Sequence, residues 1–305
     1  MAQSNPRSDP RTDRIAVAVG AILFTALALS FGDALIKKLS GGFGLWQIFL
    51  LRSCLAIPVL VLFGVAAYGR KAVLLKRSGW VALRSVMLVA MWVSFYAALP
   101  FLSLSVAAAA YYTSPIFIVL FSALFTGDRI GRTGVAAVAI GFCGIVLILR
   151  PDAADFNAFA LLPLVSAALY ALAMVVTRTT CRDETPIALS LALNIGFVLT
   201  GGAGLLFVAQ TGGFSAQTFL TAPWIAMGAQ EWLTMAVLAT SVLIGSVGAA
   251  FAYQNAPPAI VGTFDFAYVG FAVIWGLVFF AERPDAISWV GIGLIVVSGM
   301  LSVRR

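Results

Sequence analysis

The chain has 305 residues, 62% of them hydrophobic and 10% charged, with a formal net charge of +7 and a mean hydropathy of +1.03. No soluble domain of that length buries so much apolar surface and keeps a wettable exterior, so a soluble globular protein is excluded. The positive charge does not point to nucleic acid, because most basic residues sit in short links between apolar runs, as membrane topology requires.

Residues 1–14 are polar and hold Arg7, Arg11 and Arg14. They lack the short n-region and apolar core of a cleavable signal peptide, so the first hydrophobic run reads as a retained span behind a cytoplasmic tail. A span needs ~20 apolar residues to cross ~30 Å of hydrocarbon. Ten runs meet that need, at 15–36, 45–67, 80–99, 104–126, 132–149, 157–177, 187–209, 232–254, 258–281 and 286–303. They are apolar nearly all round, which in lipid means helix rather than strand. The links are short and polar: Gly41-Gly42, Arg70-Lys71, Asp152 and Arg182-Asp183-Glu184. The stretch 210–231 is longer, carries no charge before Glu231, and holds Phe214, Phe219 and Trp224, which predicts an interfacial segment. Cys54 and Cys143 fall within spans and Cys181 in a link, so no disulfide framework is expected. Small residues at Gly141, Gly144, Gly201, Gly202, Gly204, Gly291, Gly293 and Gly299 predict close helix packing.

One segment is written twice. Phe117–Arg129 aligns with Phe271–Arg283 at a constant offset of 154, with identity at Phe117/Phe271, Val119/Val273, Phe125/Phe279 and Arg129/Arg283. Each copy ends in an acidic–Arg pair, Asp128-Arg129 and Glu282-Arg283, and another apolar run follows. Such a repeat predicts two homologous halves, 15–151 and 152–305. With the N-terminus inside, Lys37, Lys38, Arg150 and Arg283 lie outside. Arg7, Arg11, Arg14, Arg70, Lys71, Lys76, Arg77, Arg129, Arg132, Arg178, Arg182, Arg304 and Arg305 lie inside. Both termini are then cytoplasmic, and an odd number of spans per half inverts the second copy. The expected fold is an all-α polytopic membrane protein of ten transmembrane helices in two inverted five-helix repeats, with a substrate site near the midplane. Each acid of the acidic–Arg pairs is expected to cap the helix that follows it.

Four ionisable residues lie within spans: Asp33, Arg52, Arg84 and Asp265. A charge at the bilayer centre costs several kcal/mol unless paired or wet, about 3 on insertion scales, so each is a functional candidate. By depth they suggest two pairs, Asp33–Arg52 toward the outside and Arg84–Asp265 toward the inside. Alternatively, they serve as structural clamps, with Arg84 snorkelling to the interface. Aromatic residues form a second group: Trp92 and Tyr96 one helical turn apart, Tyr111 and Tyr112 ahead of Pro115, and Phe264 and Tyr268 around Asp265. A wall of rings with one or two charges suits an amphipathic organic ion. Pro115 removes a helix hydrogen bond near mid-membrane, which predicts a kink. Trp80, Trp224, Trp232 and Trp289 read as interfacial belts.

There is no histidine, which excludes a Ser–His protease and a His-ligated zinc centre. Asp33 and Asp265 lie at opposite depths, which argues against an aspartyl dyad. No P-loop pattern occurs, and no ring of like charges marks a channel. No cofactor and no nucleic-acid partner are expected; the expected partners are a small-molecule substrate and the lipid bilayer.

The residues that remain resemble a known family. Asp33-Ala-Leu-Ile-Lys37, Gln47-Ile48, Arg52-Ser53, Tyr96-Ala-Ala-Leu99, Ser114-Pro115-Ile-Phe117 and Gly127-Asp128-Arg129 occur in order in the first half, which closes on Gly141-Phe-Cys-Gly144 and Arg150-Pro151. Phe266-Ala-Tyr268, Ala281-Glu282-Arg283-Pro284, Trp289-Val-Gly291 and Ser298-Gly299 follow in the second. In order and spacing the chain resembles the drug/metabolite transporter superfamily in its EamA-type ten-helix branch, over essentially all of 15–305. It departs at Asp128, where the family has glutamate, and at Val269, which stands opposite Pro115 and removes the basis for a symmetric kink. Within that branch it looks most like bacterial amino-acid exporters of the YddG type. The resemblance implies a ten-helix basket with a cavity lined by helices 1, 3, 4, 6, 8 and 9. It also implies export of amino acids, aromatic ones among them, across the bacterial inner membrane. Efflux of lipophilic cations and other drugs, or transport of another small metabolite, is the alternative. In the zwitterion reading, Asp265 would hold the ammonium, Arg84 the carboxylate, and Trp92, Tyr96, Tyr111, Tyr112, Phe264 and Tyr268 the side chain.

Overall fold

The computed structural model describes residues 10–126, 132–149, 157–181, 183–211, 218–255 and 264–303. Most of these residues are helical, and no strand occurs among them. The helices are α1 (Pro10–Leu39), α2 (Leu45–Tyr68), α3 (Ser78–Ala98), α4 (Leu104–Tyr111), α5 (Ser114–Thr126), α6 (Arg132–Leu149), α7 (Leu161–Thr179), α8 (Pro186–Gln210), α9 (Ala229–Asn255), α10 (Ala267–Phe280) and α11 (Ala286–Val303). Six stretches, in α1, α2, α3, α7, α8 and α9, are long and apolar enough to cross a membrane unaided. Leu62, Leu124, Leu199 and Val278 are exposed on the outside, as lipid-facing side chains are. Trp80, Trp224, Trp232 and Trp289 are each about half exposed, three of them in the first turn of a helix, which fits the expected belts.

Ten spans are recognisable, and two of them are broken. The fourth is α4 followed by α5, of 8 and 13 residues, parted at Tyr112-Thr113. Three-residue turns replace the α-helical pattern there: Thr113 N and Oγ1 both donate to Ala110 O, and Ile116 N donates to Thr113 O at 2.9 Å. Pro115, the second residue of α5, has no N–H to offer the Tyr111 carbonyl. The ninth span breaks at the equivalent position. Phe264 and Asp265 are helical, Phe266 is a turn, and Val269 N donates three residues back to Phe266 O at 3.1 Å before α10 continues. The break therefore recurs although Val269 replaces the proline, which corrects the expectation that only the first copy bends. Residues 258–263 of the expected ninth span, and the pair Asp128-Arg129, lie outside the described residues.

The packing pairs exchange between halves. α1 packs on α9 as α7 packs on α3, and α1 on α10 as α7 on α4 and α5. α2 packs on α9 as α8 on α3, while α2·α8, α4·α10 and α6·α11 each pair equivalent spans. Close approach needs small residues: a Cβ on Gly144 of α6 would lie 2.9 Å from Gly291 O of α11, and one on Gly204 of α8 2.4 Å from the Trp46 ring of α2.

The ends of the bundle are tied by groups far apart in sequence. Glu282 was expected to cap the helix that follows it, α11. Asp285 caps that helix instead, accepting from Ser288 N at 2.9 Å. Glu282 reaches across to α4, where Oε2 accepts from Leu104 N at 2.8 Å while Oε1 pairs with Lys37 of α1. Lys37 also donates to Leu102 O. At the opposite end, Glu184 accepts from the backbone N–H of Lys76 and Arg77, covering the N-terminus of α3. The stretch 218–228 is tied to the first turn of α2. Gln47 of α2 holds both the N and O of Ile225, Trp46 Nε1 donates to Leu220 O, Leu45 N donates to Phe219 O, and Phe219 is buried.

Candidate functional site

Three of the four charged residues of the spans, Asp33, Arg52 and Asp265, come together in two nodes joined by aromatic rings. Asp33 of α1 forms the first. Tyr96 of α3 donates to its Oδ1 at 2.8 Å, and Tyr268 of α10 donates to its Oδ2. Arg52 of α2 approaches the same tyrosine, its Nη1 donating to Tyr96 Oη at 3.4 Å. The expected Asp33–Arg52 pair is thus drawn together but mediated by a hydroxyl, because α3 inserts Tyr96 between the two charges. The Arg52 guanidinium lies 4.8 Å from the Phe49 ring centre and 4.6 Å from that of Phe197. Its Nε and Nη2 have no hydrogen-bond partner among the described residues, although the side chain is 1% exposed.

Asp265 forms the second node, accepting from Tyr112 Oη at 3.3 Å. Arg84 does not pair with it. Arg84 Nε donates to Thr177 Oγ1 of α7 at 2.7 Å, and Thr177 passes the bond on to Ala173 O. The packing of α3 on α7 sets that partner before Asp265 comes within reach. The zwitterion seat expected between Asp265 and Arg84 is therefore not assembled here. Among the described residues the one ion pair is Lys37–Glu282.

Rings connect the nodes. Tyr112 stacks on Tyr268 with centroids 5.1 Å apart and planes at 26°, so the donor to Asp265 lies on the donor to Asp33. Trp92 stacks on Tyr96 at 5.0 Å. Tyr111 packs between Phe95 and Tyr170 at 5.5 and 5.7 Å. Tyr96, Tyr112 and Tyr268 are buried, and Trp92 and Tyr111 partly so. These rings pack against one another in the buried core. The two apolar grooves beside α1, one against α9 and one against α2 and α9, are lined by residues such as Phe31, Phe63, Val237 and Ile244, and contain no ionisable side chain. Phe264 is 40% exposed and outside the buried ring cluster.

Sequence reasoning did not foresee Tyr170, the Phe49 and Phe197 rings about Arg52, or the Lys37–Glu282 tie. Lys37 sits one turn beyond Asp33, and that i, i+4 spacing was the available signal.

The sequence model of the EamA-like transporter family matches residues 16–150. A riboflavin transporter of Rhizobium johnstonii is 32% identical over 237 residues, covering 74% of this chain and 70% of its own. A pseudopaline exporter of Pseudomonas aeruginosa is 26% identical over 292 residues, 94% of this chain and 96% of its own. A solved crystal structure superposes with a TM-score of 0.65 at 19% identity over 95% of this chain, a likeness of fold.

Proposed function

We propose that this chain, which belongs to the EamA-like transporter family, exports amino acids and related small zwitterions by alternating access between two inverted halves, 15–151 and 152–305. That it is a polytopic membrane transporter rests on the family; cargo, direction and site are the proposal. The Lys and Arg asymmetry supports both termini facing the cytoplasm of a bacterial cell, with the Lys37–Glu282 end outside.

The observation that carries the reading is the pair of carboxylates, buried Asp33 and partly buried Asp265, bridged by the stacked rings of Tyr268 and Tyr112 where two spans are broken. Broken helices facing each other across a repeat interface supply a polar seat at mid-membrane. A buried carboxylate attracts an ammonium, and the tyrosine and tryptophan faces suit an apolar or aromatic side chain. Parting of the halves exposes the carboxylates first to one side and then to the other. The same carboxylates are the groups a proton-coupled cycle would use.

A second reading is a flavin-like planar solute. The 32% identity to a riboflavin transporter favours it, and the stacked pairs Trp92–Tyr96 and Tyr112–Tyr268 offer ring faces for it. Lipophilic cations are the third. Counterflow into proteoliposomes, with labelled phenylalanine, threonine, riboflavin and a lipophilic cation side by side, separates them. Saturable movement of the amino acids is expected. Movement of riboflavin alone, or of the cation alone, replaces the reading with the corresponding alternative.

A further inference from the structure

We infer that the Nε/Nη2 edge of Arg52 is the seat for a carboxylate carried by the transported solute. The inference rests on the reading that cargo reaches the Asp33 node, and it moves anion recognition from Arg84, where the sequence suggested it, to Arg52.

A guanidinium offers two faces, an end and a side. Phe49 and Phe197, their ring centres 4.7 Å apart, pack together against the Arg52 guanidinium at 4.8 and 4.6 Å. At the end, Nη1 donates to Tyr96 Oη. What remains is the side, where the Nε and Nη2 hydrogens point in parallel, and neither has a partner. That fork matches the spacing of two carboxylate oxygens and accepts them in a bidentate pair. Buried charged donors left without acceptors are costly, and a ligand that satisfies them recovers the cost.

The nearest acid does not fill the fork. Asp33 is held away, both of its oxygens occupied by Tyr96 and Tyr268. Tyr96 keeps the charges one hydroxyl apart, through bonds of 2.8 and 3.4 Å, instead of letting them neutralise each other directly. An α-amino acid carries an ammonium and a carboxylate on one carbon, so a solute that displaces the Tyr96 bridge meets a negative pole at Asp33 and a bidentate donor at Arg52. Trp92, stacked on Tyr96, flanks the same point with a ring face. Arg84 is the weaker candidate. Its Nε is engaged by Thr177, Nη1 alone is buried without a partner, and the side chain is only partly buried.

The test compares phenylalanine with phenethylamine, the same molecule without its carboxylate, in counterflow by the intact chain and by Arg52→Lys, Arg52→Gln and Arg84→Gln, with folding followed by thermal unfolding in detergent. Arg52→Lys keeps the charge and loses the fork, and it serves if Arg52→Gln does not fold. Both Arg52 changes should raise the KM for phenylalanine about ten- to a hundredfold, the loss of a charge-assisted pair, with the maximal rate little changed. The KM for phenethylamine should move by less than about threefold in the same variants, a difference below 1 kcal/mol by the same conversion. Arg84→Gln should leave the preference for phenylalanine intact. Equal weakening of both solutes by the Arg52 changes would make Arg52 a clamp and overturn the inference. Loss of the preference in Arg84→Gln alone would also overturn it. If the intact chain moves neither solute, the amino-acid reading falls separately. Thermal shifts by phenylacetate against phenylacetamide then decide for Arg52: a carboxylate-specific shift lost in Arg52→Gln supports the seat, and no such shift refutes it.

Discussion

The break in the fourth span and the break in the ninth stand at the same place in the two halves, Tyr112 answering to Phe266 at the offset of 154, yet they are made of different residues. The first has Thr113, whose hydroxyl donates back to Ala110 O, and Pro115, which has no N–H to offer. The second has neither, and still turns at Phe266 through an N–H bond three residues back. A bend that survives the loss of its proline is set by packing at the junction of α4 and α10 rather than by local chemistry. What differs is the polarity each break delivers. Tyr111 in the first corresponds to Asp265 in the second, so the charge lies on one side and the hydroxyl that meets it, from Tyr112, on the other.

The largest test of that asymmetry exchanges the corresponding positions. Asp265→Asn should lower the transport rate about a hundredfold, because a charged partner for the cargo is lost, whereas Tyr111→Phe should change it less than about threefold. Equal effects in counterflow would mean that the two breaks share the charge work. Next comes the tie that holds α4 to α10 at one end. Glu282→Ala removes both the Lys37 partner and the acceptor for Leu104 N, and should destabilise the protein by about 1–3 kcal/mol in a chemical unfolding titration. Tyr268→Phe should cost about 1 kcal/mol by the same titration, since Asp33 keeps its bond from Tyr96. The smallest effect belongs to Pro115→Ala. If packing sets the first break as it does the second, transport and stability should stay within about 0.5 kcal/mol of the parent, the scale of an ordinary silent change. A large effect would restore the proline as the cause and separate the two breaks.

The ten spans were legible because a membrane helix is announced by an uninterrupted apolar run, and the tryptophans at the helix ends because an amphipathic ring belongs at an interface. The four charges within the spans were legible for the same reason, as exceptions. Their partners were not. Whether Arg84 meets Asp265 or Thr177 is decided by the rotation of α3 against α7, and that rotation leaves no mark in the residues near Arg84. Tyr96 was recognised as a site residue, but its place between Asp33 and Arg52 depends on three helices meeting at one level. Glu282 looked like the cap of its neighbour, as acids before helices usually are. It caps a helix 178 positions back instead, because the end of α10 lies beside the start of α4 and Asp285 had already taken the local role. The break at Phe266 had no proline to announce it.

The central claim is that the two breaks line the path taken by the cargo. Thr113 and Phe266 are both buried here, at 0% and 4% exposure, so their labelling reports opening. The measurement is made on protein with Cys54, Cys143 and Cys181 replaced, carrying Thr113→Cys or Phe266→Cys, in sealed vesicles of known orientation. A membrane-impermeant thiol reagent is added from one side or the other. Alternating access past the breaks predicts that each cysteine reacts from both sides. If the vesicles transport and neither cysteine reacts from either side, the path runs elsewhere and the account is wrong.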